Sequence, residues 1–125
     1  PSSMVFYAGD NDLGDGQSPE QVQASFQALR QKVMYCLGPI RFGFVSIKLS
    51  PSRLPIRDRI ELTNQLIQAE LADWPNASYI DIYQAMLDVD NLPRPELFAA
   101  DGLHLSPAGY QLWTQILNTE RAKFV

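Results

Sequence analysis

The chain has 125 residues, a formal net charge of −4, and 46% apolar against 19% charged residues, a balance that fits one globular domain and excludes a disordered chain. The acidic balance and the scattered Lys and Arg residues give no support to nucleic-acid binding, and the one local group, Arg53, Arg57 and Arg59, is expected to decorate a helix. Cys36 is the only cysteine, so the fold must stand on packing without an intrachain disulfide. No apolar run approaches the ~18 residues that a membrane span needs.

Met4 to Ala8 is a short apolar run stopped by Gly9, the pattern of a buried strand. A polar turn, Gly9 to Gln17, follows. Ser18-Pro19-Glu20-Gln21 then predicts a helix start: Ser18 as cap, Pro19 at the first helical position, and Gln21 where a capping box wants Glu or Gln. Val22, Phe26, Leu29 and Val33 share one helical face, and Gly38-Pro39 ends it. Phe42 to Leu49 is the second predicted strand, and Ser50 to Pro55 a loop. From about Ile56 a second amphipathic helix is traced by Ile56, Ile60, Thr63, Ile67, Leu71 and Trp74. Ser78 to Tyr83 predicts a third strand, followed by a helical turn near Gln84 to Leu87. A long loop spans Asp88 to Leu103, and Ser106-Pro107 starts a last helix with Leu112, Ile116 and Leu117 on its apolar side. Strands alternating with helices predict an α/β fold with a parallel sheet of about three strands in a single domain, 1–125.

In such sheets ligands bind beyond the carboxyl ends of the strands, where Gly9 to Asp12 falls. Three readings of this loop compete. Asp10 and Asp12 match alternate ligands of a calcium loop, but Gly14 and Gln21 stand where further acidic ligands belong. Asp and Asn also favour turns for local hydrogen-bonding reasons. Alternatively, the Asn11 amide faces a developing oxyanion. The second informative segment is Asp101-Gly102-Leu103-His104, which holds the only histidine of the chain. An Asp on one ring nitrogen fixes the tautomer and leaves the other free to take a proton; a surface or capping role is the plain alternative.

Together, GDND after the first strand and DGLHLSPAGY before the last helix resemble the third and fifth sequence blocks of the SGNH (GDSL) hydrolase family, Gly-x-Asn-Asp and Asp-x-x-His. SIKLSPSR (46–53) and RPELFAADGLHLSPAGY (94–110) also resemble its small esterase-like members, and the likeness runs through the whole chain in order. The resemblance implies a three-layer, flavodoxin-like sheet with ester hydrolysis at its carboxyl edge and no metal or organic cofactor. It implies His104 as general base, Asp101 as its orienting carboxylate, Asn11 as oxyanion donor, Gly9 as the tight turn and Asp12 as the brace of that loop. It also implies a small ester as substrate.

The family's nucleophile sits in a Gly-Asp-Ser context upstream of these blocks, together with a glycine whose N–H serves the oxyanion. No Gly-Asp-Ser occurs in these 125 residues. Ser2, Ser3 and Ser46 are badly placed, Ser18 and Ser106 are better used as caps, and nothing marks Ser50, Ser52 or Cys36 as a nucleophile. The chain, which opens on Pro1, thus reads as the C-terminal part of such a domain, with strands 3 to 5 of the family order 2-1-3-4-5. Met4 to Ala8 would then be an unpaired edge inviting self-association or an N-terminal segment. A non-catalytic α/β binding or assembly module is the alternative, and a weaker one is a magnesium-dependent phosphoacceptor domain using Asp10, Asp12 and Lys48. Leu92, Pro93, Leu97 and Phe98 either wall an acyl pocket or pack over the sheet edge. Cellular location is not assigned.

Overall fold

A computed structural model describes residues 3–123, so Pro1 and Ser2 lie outside the described residues. Three strands, β1 (Ser3–Phe6), β2 (Arg41–Val45) and β3 (Ala77–Ile80), form one parallel sheet in the order β1-β2-β3. Met4 pairs with Phe42, and Phe44 stands between Phe6 and Tyr79. Among the described residues four α-helices connect or follow them: α1 (Asp10–Gly14), α2 (Pro19–Leu37), α3 (Arg57–Ala72) and α4 (Pro107–Thr119).

Alternation along β2 explains the layers. Phe42 and Phe44 point to one face, into a core built with Val22, Phe26 and Val33 of α2 and Ile60, Ile67 and Leu71 of α3. Val45 points to the other, where Ile80, Ile82, Met86, Leu97 and Phe98 pack with Tyr7 and with Leu112, Trp113 and Ile116 of α4. A strand buried on both faces reads as a continuous apolar run, and β2 does. Aromatic contacts tighten the first core: Phe42 stacks on Trp74 at 4.4 Å, and Phe26 meets Phe44 edge-on at 5.5 Å.

The helix starts form as their sequences predict. The Ser18 hydroxyl accepts from the Gln21 N–H at 3.1 Å while the Gln21 side chain accepts from the Ser18 N–H at 2.8 Å, a complete capping box. Ser106 caps α4 through the Gly109 N–H. Three details differ from the sequence reading. All three strands are shorter than their apolar runs. The polar turn after Gly9 contains the helical turn α1. The Ser50–Pro55 loop is wound into a 3-10 helix at Pro51–Ile56, with further 3-10 turns at Gln84–Met86 and Pro95–Leu97. Among the described residues no helix is long and apolar enough to cross a membrane.

Candidate active site

The loop leaving β1 turns at Gly9, whose φ of 111° lies in the left-handed region. A Cβ there would also stand 2.9 Å from the Ile47 side chain, so the turn requires glycine on both grounds. The chain then winds directly into α1, which places Asp10 inward and Asn11 outward.

Asp10 is the anchor of this loop. One carboxylate oxygen accepts from Lys48 Nζ at 2.5 Å and from the Tyr7 hydroxyl at 3.3 Å, and the other from Arg53 Nε at 2.9 Å. Burial pushes the Asp10 carboxyl up. The hydrogen bond and charge of Lys48, and then those of Arg53, outweigh it and hold the group below the ordinary carboxylate range. Burial raises the Tyr7 hydroxyl strongly, with the Asp10 charge adding to it, so Tyr7 remains a proton donor. Both Asp10 oxygens are therefore engaged by protein donors, which ties up one of the two carboxylates that the calcium and phosphoacceptor readings use.

Asn11 is exposed at the tip, with Oδ1 3.4 Å from Arg53 Nη2. Asp12 is half-buried, and its backbone carbonyl accepts from the Gln17 N–H at 3.0 Å. The side-chain bracing of the loop thus runs through Asp10, whereas the sequence reading gave that role to Asp12. Tyr7 through Asp12 line a hollow of about 300 Å³. A larger hollow of about 500 Å³ beside β3, lined by Glu61, Asn64, Tyr79, Asp81 and Tyr83 among others, contains neither motif.

The second motif is held by the chain around it. Phe98 and Leu105 form an antiparallel bridge, and the His104 carbonyl accepts from the Ala99 N–H at 2.8 Å. In the resulting tight loop Asp101 Oδ1 accepts from the Leu103 and His104 N–H groups, both at 2.9 Å. Its Oδ2 lies 2.5 Å from His104 Nδ1. That hydrogen bond and the two backbone donors bring the Asp101 carboxyl down to about 2 from 3.8. The imidazole is thus gripped at Nδ1 and presents Nε2 outward on a side chain that is 74% exposed. Among the described residues no serine hydroxyl hydrogen-bonds His104.

One segment touches both motifs. Arg53 reaches Asp10 and Asn11, and the N–H of its neighbour Ser52 donates to the Gly102 carbonyl at 3.0 Å. Arg53, on the 3-10 helix Pro51–Ile56, therefore does more than decorate a helix; Arg57 pairs with Glu61 one turn on along α3. Ser50 is fully buried with its hydroxyl 3.4 Å from that of Ser52, and Cys36 is exposed at the end of α2. Leu97 and Phe98 belong to the second core, while Leu92 is exposed. Sequence reasoning missed Tyr7 and Arg53 and met Lys48 only as a phosphoacceptor candidate. An isolated Lys in the buried run that continues beyond β2 is the one sequence signal that could have pointed to the Asp10–Lys48 pair.

A parallel α/β sheet with an Asn-bearing turn after one strand and an Asp–His loop before the last helix is the layout that the SGNH resemblance implies. The family of GDSL-like lipases and acylhydrolases matches residues 1–112, and the chain belongs to that family. No curated protein matches it. Several solved structures share the fold, three of them as follows. A Streptococcus pneumonia protein described as a platelet activating factor has a TM-score of 0.84 and 23% identity, over 94% of this chain and 58% of its own. The OSK domain of Drosophila Oskar follows at 0.81 and 17%, over 95% and 62%. A GDSL-like lipase from Bacteroides thetaiotaomicron gives 0.75 and 20%, over 98% and 63%. The chain thus spans less than two thirds of each of these structures.

Proposed function

We propose that this chain carries the acid–base pair and one oxyanion donor of a serine ester hydrolase, and that it is the C-terminal part of the hydrolase domain. His104 Nε2 takes the proton of a serine hydroxyl as that oxygen attacks the ester carbonyl. Asp101 holds the tautomer and stabilises the imidazolium. The Asn11 amide donates to the carbonyl oxygen as it becomes an oxyanion. The imidazolium then returns its proton to the departing alcohol, and water, deprotonated by the same ring, releases the acid from the serine. The serine comes from a segment upstream of β1, which also supplies the strand that β1 lacks; without it, β1 edges of two copies associate.

The observation that carries this reading is the Asp101–His104 pair, with Nδ1 engaged at 2.5 Å and Nε2 directed outward, in a chain of the GDSL-like lipase and acylhydrolase family. A fluorophosphonate probe tests it on the complete product of the gene. A covalent adduct is expected there, lost in His104→Ala, while the 125-residue chain stays unlabelled. An adduct that persists without His104 refutes the assigned base, and no adduct on the complete product refutes serine catalysis. The second reading, a non-catalytic binding or assembly module, is favoured by the lack of any Gly-Asp-Ser in these residues and by the fact that one fold hosts many functions; it predicts that second result.

A further inference from the structure

Asn11 is exposed on a short helical turn, and a free amide side chain at such a position samples several rotamers. An oxyanion donor is effective only when it is fixed in advance. Arg53 stands beside it. Arg53 sends Nε to Asp10 Oδ1 at 2.9 Å and Nη2 towards Asn11 Oδ1 at 3.4 Å. A guanidinium has donors only. The end of the Asn11 amide that faces it must be the oxygen, and the NH2 end is turned away. Arg53 is itself held: Asp10, its partner, is pinned by Lys48 and Tyr7, and the Ser52 N–H next to it is bonded to Gly102 in the Asp101–His104 loop. Gly14 leaves room for this. A Cβ at that position would collide with the Arg53 guanidinium.

We propose that Arg53 is the positioning residue of the oxyanion donor, orienting the Asn11 amide by its oxygen and tying that loop to the loop of His104; this rests on the reading of Asn11 as the donor. The cluster also carries excess positive charge, since Lys48 and Arg53 share the single carboxylate of Asp10.

The contact is tested on the 125-residue chain by nitrogen-15 relaxation of the Asn11 side-chain amide, with exposed Asn118 as internal reference. The Asn11 order parameter is expected well above that of Asn118, and to fall below about 0.6, the flexible range, in Arg53→Met and Gly14→Ala. Gly14→Ala displaces the guanidinium without a charge change and without a cost in helix propensity, so it decides alone if Arg53→Met fails to fold. An Asn11 amide equally ordered in Gly14→Ala overturns the proposal.

Kinetics on the complete gene product separate it from the reading beneath it. Loss of a donor costs about 100- to 1000-fold in kcat, and its misplacement about 100-fold. Arg53→Met is therefore expected to lower kcat about 10- to 100-fold with KM within about two-fold. The double variant with Asn11→Ala should be no slower than Asn11→Ala alone. If Asn11→Ala leaves kcat unchanged, the oxyanion reading falls, and relaxation still judges the contact. If Asn11→Ala is slow but Arg53→Met is neutral, or its effect multiplies with Asn11→Ala, Arg53 is not the positioning residue.

Discussion

Asp10 is 6% exposed, and a carboxylate so placed is tolerated only because two cations and a phenol donate to it. Replacing it by Asn keeps the shape, removes the charge, and leaves Lys48 buried without its counter-ion. Breaking a buried pair in this way costs several kcal/mol. Since Arg53 is partly solvated, about 3 kcal/mol is the expected loss for Asp10→Asn at pH 7, or roughly 10 °C in Tm. The sign with pH follows from the depressed carboxyl. Its contribution is complete above the ordinary value of 3.8 and disappears as pH falls through the lower folded value. Thermal melts should thus show the two proteins converging in acid. Equal Tm values at neutral pH would mean that the cluster contributes nothing to stability. Asp101 follows the same rule down to about 2, but it is exposed and acts on His104 rather than on folding.

At the level of elements, what the sequence discloses is what local chemistry decides. The Ser18–Gln21 box, Pro19 and the Val22–Phe26–Val33 face mark α2, because every group involved lies within one helix. The strands end before their apolar runs do for a different reason. Phe42 to Leu49 reads as one strand since every residue in it is buried, yet sheet pairing stops at Val45. Beyond it, the Ile47 backbone is satisfied by the buried Asn64 amide, which accepts from its N–H at 2.8 Å and donates to its carbonyl at 3.0 Å. The Ser46 hydroxyl likewise serves the Ile82 and Tyr83 N–H groups. Hydropathy reports burial and is blind to which partner closes the hydrogen bond. The turn α1 was hidden similarly: its inward Asp10 is held by partners from the next strand end, far along the chain. The motif letters of the site could be read, but not the arginine that joins them. Asn64→Leu tests this account. It keeps the branched shape but strands an N–H and a C=O in the core, at about 1–3 kcal/mol each, so a loss of roughly 2–6 kcal/mol in urea unfolding is expected. A neutral outcome would show that water or a shifted backbone replaces Asn64.

Across the whole molecule, the sheet is covered on both faces and ends in two edge strands, β1 and β3, each paired on one side among the described residues. Among the described residues β1 pairs only with β2, Val5 on it is 43% exposed, and an apolar hollow of about 190 Å³ lies beside it, lined by Phe6, Ala8, Val22, Phe26 and Phe44 among others. Backbone donors and acceptors along such an edge accept any compatible strand, and charged side chains are the usual deterrent. The 125-residue chain should accordingly associate with itself as concentration rises, through β1 rather than through the exposed Met34 and Tyr35 of α2. Light scattering behind a sizing column would show mass increasing with loading for the unaltered chain. Val5→Lys should hold it monomeric with its circular dichroism unchanged, because the side chain being replaced is already largely in solvent. Tyr35→Lys should leave the association intact. A chain that stays monomeric at every loading, or one dispersed by Tyr35→Lys and not by Val5→Lys, would place the sticky surface elsewhere and remove the argument that β1 awaits a partner strand.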